Sequence, residues 1–148
     1  VLSAFQEIER FANLKLAHEK CVIVPASRDQ LNELKQCISA FDANRLMNHL
    51  HKCELIQGDA TITIPRYIED NQHLLVSLLH LDADLYAPTK TALECFLPRM
   101  GKGSIILFDE LNMDLFPGET LAMLESLDLH EVQIKRLNYA TSMSYVVL

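Results

Sequence analysis

The chain has 148 residues, 49% of them hydrophobic and 22% charged, which fits one globular domain with a real core and excludes a disordered segment. Thirteen Lys and Arg against 20 Asp and Glu leave a net charge of −7, and with no basic stripe this argues against a nucleic-acid partner. No apolar run approaches the roughly 20 residues of a membrane span, and the first residues lack a basic stretch followed by an apolar core, so the expectation is a cytoplasmic protein with no membrane partner.

The elements are read in chain order. Residues 3–19 place Phe5, Ile8, Phe11, Ala12, Leu14 and Leu16 near one helical face. Cys21 to Val24 is a short β-rich run ended by Pro25. Ser27 with Gln30 fits a capping box, and the helix it opens carries Leu31, Leu34, Ile38 and Phe41. Asp42 to His51 reads as a further helix. Glu54 to Gln57 is a short strand stopped by Gly58-Asp59, and Ile62 to Asn71 a short helix entered around Pro65. Leu74 to Leu81 is nearly unbroken in its apolarity, as a strand buried on both faces would be. Pro88 sits where a helix begins, and Pro98 with Gly101 ends it. Ser104 to Phe108 is another apolar strand, and Pro117 opens a helix through Leu127. Val132 to Leu137 and Ser144 to Leu148 are two strands across a short turn, read as an antiparallel hairpin at the sheet edge. Strands alternating with helices imply an α/β domain, with a mostly parallel sheet and helices on both faces. No repeat or linker interrupts it, so residues 1–148 are taken as a single domain. The four cysteines, Cys21, Cys37, Cys53 and Cys95, form no CxxC pair, so free thiols are expected rather than a structural zinc site.

Ligands of such sheets bind beyond the carboxyl ends of the strands. Three strand ends here are acidic: Asp59, then Asp82 and Asp84, then Asp109 and Glu110. Carboxylates gathered on one rim repel each other unless a cation compensates. A hard cation such as Mg²⁺ takes oxygen ligands, and Asp82, Asp109 and Glu110 suit it. Asp84 is read as a general base or as a turn residue feeding the next helix. His80 shares a face with Asp82 in a regular strand and is read first as a structural histidine. Tyr86 is read either as an acceptor-pocket residue or as a packing aromatic. Glu119, in the first turn of its helix, is read as structural, since a negative side chain there suits the helix dipole.

LIQGDATITIP (55–65), LLHLDADLYAPTKTALECFLPRMGKG (78–103), IILFDELN (105–112) and FPGETLAMLESL (116–127) together resemble the macrocin-type O-methyltransferases. These are class I S-adenosyl-L-methionine-dependent enzymes with a Rossmann-like sheet. The resemblance covers about residues 27–148. It implies that Asp82, Asp109 and Glu110 bind Mg²⁺. It also implies that Asp84 takes the proton from a hydroxyl of a sugar or other small molecule, and that Gly58, Asp59 and Ala60 contact the cofactor. The family's glycine-rich cofactor loop has no counterpart, because none of the four glycines precedes Gly58. CVIVPAS (21–27) stands where the second strand of such a sheet belongs. The expectation is therefore a sheet truncated at its N-terminal part, with weak or absent methyl transfer. Strands near the C-terminal edge could support a homodimer. The rivals are a non-catalytic binding or dimerisation module and a haloacid dehalogenase-type phosphatase with Asp82 as nucleophile. The latter pattern wants Thr or Val where this chain has Tyr86.

Overall fold

A computed structural model describes residues 21–23, 28–138, 140 and 142–148. The helix expected over 3–19, the end of the first strand at Val24 and Pro25, and the Ser27 cap lie outside the described residues. The described chain falls into two compact units, one ending at Thr63 and the other running from Ile64 to Leu148.

In the first unit, β1 (Cys21–Ile23) pairs in parallel with β2 (Cys53–Leu55), with Val22 opposite Glu54. Between them runs α1 (Arg28–Ala43). The helix expected over Asp42 to His51 is absent: the segment is a series of turns. Its side chains compete for the backbone. Asn44 Nδ2 donates to the Ala40 carbonyl at 2.8 Å, and the Asn44 and Arg45 amides close tighter bonds to Phe41 and Asp42. Arg45 pairs with Asp42 at 2.6 Å, lies over the Phe41 ring and donates to the Leu50 carbonyl. This holds the Asp42 carboxyl below the usual range. Leu46 is fully exposed, so no apolar face rewards continuing the helix.

The next helix, α2 (Ala60–Asp70), starts before the expected Ile62, and Pro65 lies inside it instead of at its entry. Asp59 explains the shift. Its carboxylate accepts the Thr61 amide at 2.9 Å and the Thr61 hydroxyl at 2.7 Å, a helix cap that fixes the start one residue later. These bonds lower the Asp59 pKa.

The second unit is built on a four-stranded sheet in the order β3-β4-β6-β5. Its strands are β3 (Leu78–Leu81), β4 (Ile105–Phe108), β5 (Ile134–Arg136) and β6 (Ser144–Val147); α3 (Tyr86–Phe96) joins β3 to β4, followed by a 3-10 turn over Leu97–Arg99, and α4 (Gly118–Ser126) follows β4. The β3–β4 pair is parallel, whereas β4–β6 and β6–β5 are antiparallel. The C-terminal hairpin at the sheet edge is as expected, but the four-stranded sheet is mixed and not mostly parallel. All four residues of β4 are buried, and Phe108, Ile105, Ile106, Leu93 and Val146 form much of the core. β3 is shorter than the apolar run Leu74 to Leu81 and is not buried on both faces: Leu79 and Leu81 are buried while His80 is exposed. The backbone before β3 is used elsewhere, with the Val76 amide donating to the Arg99 carbonyl at 2.9 Å.

No helix among the described residues is long and apolar enough to cross a membrane. Cys37 and Cys95 are free thiols.

Candidate active site

The two acidic strand ends meet because β3 and β4 are parallel and in register. Leu81 lies opposite Phe108, and the Asp109 amide donates to the Leu81 carbonyl at 3.1 Å. Asp82 and Asp109 therefore leave adjacent strands side by side at their carboxyl ends. Asp82 and Asp84 are exposed; Asp109 and Glu110 are half-buried. Asp84 has φ 55 and Asn112, in the loop after β4, has φ 61. Both occupy the left-handed region, which Asp and Asn tolerate better than most residues.

The electrostatics record the crowding. Burial raises the Asp109 pKa first, the charges of Asp82 and Asp84 raise it further, and His80 opposes them. Glu110 is likewise raised, by burial and then by Asp84, Asp109 and Asp82. Its Oε2 is buried without a hydrogen-bond partner. Among the described residues, no three His, Cys, Asp or Glu converge closely enough to hold a metal ion. The donors are nonetheless all carboxylate oxygens, and an orphaned buried oxygen beside like charges has the chemistry of a hard-cation ligand. The set thus fits a divalent cation in donor type, while its side chains stand apart.

The first turn of α4 joins the two acidic loops. The Glu119 side chain is fully buried. Its Oε1 accepts the Ala83 amide at 3.3 Å and its Oε2 the Glu110 amide at 3.1 Å. Burial pushes its pKa up, the two amides pull it down, and Asp109 and Asp82 push it up again. Beside it, Thr120 Oγ1 accepts the Asn112 amide at 2.8 Å. A helix-dipole argument could not anticipate a buried acid here. The legible signal was the glycine just before it, which permits the helix to touch the first acidic loop. Tyr86 donates its hydroxyl to Glu125 at 2.6 Å, and Lys90 lies 3.5 Å from the same carboxylate, so these side chains link α3 to α4. A cavity of about 340 Å³ beside the second loop is lined by Leu111, Asn112, Thr120, Met123, Ile134 and Arg136, among others, and by no carboxylate.

Gly58, Asp59 and Ala60 lie in the smaller unit. Gly58 has φ 144, and a Cβ there would stand 2.6 Å from Thr63 Cγ2, so the position needs glycine. The Asp59 carboxylate caps α2 through Thr61.

No family model matches the chain, and no curated protein does. Solved structures do. CalS11, a TDP-rhamnose 3'-O-methyltransferase of calicheamicin biosynthesis, matches at a TM-score of 0.79 and 31% identity over 86% of this chain. The O-methyltransferase NovP matches at 0.59 and 17% over 82%. Fibrillarin from Aeropyrum pernix, solved with S-adenosyl-L-methionine, matches at 0.52 and 14% over 86%. The last two show the fold alone. The chain spans 57% of CalS11, 45% of NovP and 55% of fibrillarin. The chain thus has the class I methyltransferase fold, and over most of its length it is similar to the sugar O-methyltransferase CalS11.

Proposed function

We infer that the chain carries the metal-and-base half of a Mg²⁺-dependent, S-adenosyl-L-methionine-dependent O-methyltransferase of the macrocin type, acting on a hydroxyl of a sugar or other small molecule. The observation that carries this reading is the pair of acidic ends side by side on parallel β3 and β4. Asp82, Asp109 and Glu110 would hold the cation, which when bound supplies Lewis acidity toward the acceptor hydroxyl. Asp84 would accept the proton of that hydroxyl, a role that needs hydrogen-bond reach of about 2.6–3.2 Å; the cofactor, when bound, would supply the methyl group and leave as the neutral thioether S-adenosyl-L-homocysteine. Gly58, Asp59 and Ala60 are the proposed cofactor contacts. The setting is the cytoplasm, the domain is single, and association is as a homodimer.

The test supplies S-adenosyl-L-methionine, Mg²⁺ and either TDP-rhamnose, taken from the likeness to CalS11, or simpler sugar hydroxyls. Methyl transfer should be weak, lost in EDTA and lost in Asp84→Asn. Transfer that persists in EDTA or in Asp84→Asn would overturn the assignment. Isothermal titration addresses the cofactor separately. Because no glycine precedes Gly58, binding weaker than micromolar is expected, and micromolar binding would contradict that expectation. The same scarcity of glycine favours a second reading, a non-catalytic binding module. No methyl transfer to any acceptor, with Mg²⁺ bound or absent, would support it.

A further inference from the structure

We propose that Glu119 is a positioning residue of the acidic rim, its buried carboxylate fixing the backbone of both loops whose side chains would hold the divalent cation. The proposal rests on the metal reading of Asp82, Asp109 and Glu110 and deepens it.

The two oxygens of Glu119 are divided between the loops. One accepts the amide of Ala83, between Asp82 and Asp84; the other accepts the amide of Glu110 itself. A helix-starting acid normally faces solvent, where it complements the helix dipole. Glu119 instead has no exposed surface, and burying a carboxylate beside other carboxylates is costly unless hydrogen bonds compensate. Its neighbours serve the same junction. Gly118 brings the helix against the backbone of Asp84, Leu85 and Tyr86, and Thr120 accepts the Asn112 amide. Three consecutive residues, Gly118, Glu119 and Thr120, therefore hold both loops. Among the described residues, the two non-glycine positions with positive φ, Asp84 and Asn112, both lie in those loops, a backbone form that persists where its surroundings enforce it. A carboxylate has two acceptor oxygens and no donor, which is what two converging amides require. Glutamine would turn an NH₂ group toward one of them.

The test compares Mn²⁺ affinity, read by electron paramagnetic resonance of the free ion, with thermal stability. Glu119→Gln should bind Mn²⁺ at least about tenfold more weakly than wild type, the scale found when groups orienting metal ligands are removed. Val146→Ala, which truncates a buried residue of β6 remote in sequence from both loops, should lower the melting temperature without changing Mn²⁺ affinity. Equal affinity in Glu119→Gln and wild type overturns the proposal, as does an equal loss in Val146→Ala. A wild-type chain that binds no Mn²⁺ sinks the metal reading and this role with it, a result distinct from failure of Glu119 alone. Should Glu119→Gln not fold, hydrogen exchange on the wild-type chain decides: slow exchange of the Ala83 and Glu110 amides supports the clamp, and fast exchange of either overturns it.

Discussion

Asp109→Asn should raise the melting temperature of the metal-free chain by about 3 °C and weaken divalent-metal binding by ~100-fold or more, a loss larger than outer-shell changes cause. Both effects come from one cause. Asp109 is half-buried next to Asp82 and Asp84, and its charge is disfavoured first by burial and then by those neighbours. Asparagine has nearly the same shape and no charge, so it removes the repulsion. It also removes the oxygen charge a cation would use. A carboxylate kept only for packing would show neither effect.

The pH dependence gives the sign independently. The Asp109 pKa is raised in the folded chain above its ordinary value of 3.8. The folded state then holds its proton more tightly than the unfolded state, so lowering pH favours folding through this group. The contribution is fully present below about pH 3.8 and is lost as pH rises through the higher, folded pKa. The gap in melting temperature between Asp109→Asn and wild type, measured in EDTA, should therefore be small in acid and widen toward neutral pH. Added Mg²⁺ should close or reverse it. An Asp109→Asn chain that melts at or below the wild-type temperature in EDTA at neutral pH would count against a strained acidic site.

Much of this rim was legible in the sequence, and the reason is local. LLHLD and IILFD each end an apolar run in an acid, and apolar runs of that length become neighbouring strands when the chain between them is a helix. The bounds and pairings were less legible. The run from Leu74 reads as one strand, but only Leu78–Leu81 pairs: the Ser77 carbonyl accepts the first ladder bond, from the Ile105 amide, and before it the Val76 amide turns to the Arg99 carbonyl instead. A mostly parallel sheet was expected from the alternation of strands and helices. Alternation fixes the order of elements but not the direction in which a late strand returns, so among the described residues the parallel pairs β1–β2 and β3–β4 are matched in number by the antiparallel pairings of β6. Asp42 to His51 looked helical by composition because side-chain bonds such as Asn44 to Ala40 leave no periodic trace. Glu119 is structural, as expected, but its buried setting was illegible for a related reason. Sequence places an acid on a helix end, but only tertiary contact shows whether that end faces water or two converging amides.

Gly118→Ala should cost about 3 kcal/mol, the upper part of the usual range for overpacking, or roughly 10 °C in melting temperature. A Cβ at this position would lie 2.5 Å from the Tyr86 nitrogen, 2.7 Å from the Asp84 carbonyl oxygen and 2.7 Å from the Leu85 carbonyl carbon. All three are backbone atoms, so no side-chain rotation relieves the clash. Either α4 withdraws or the loop after β3 moves. Withdrawal of α4 lengthens both Glu119 bonds, of which the one to Ala83 is already 3.3 Å. Movement of the loop carries Asp84 with it. Alanine's better helix propensity, worth at most ~1 kcal/mol against glycine, does not offset this. Both routes reach the acidic rim, so the stability loss should be accompanied by weaker Mn²⁺ binding in whatever fraction remains folded. Urea denaturation followed by Mn²⁺ titration in the folded baseline reads the two effects apart. Wild-type stability in Gly118→Ala would mean that the helix and loop do not meet at this distance in solution. A stability loss with unchanged metal affinity would separate this contact from the site it adjoins.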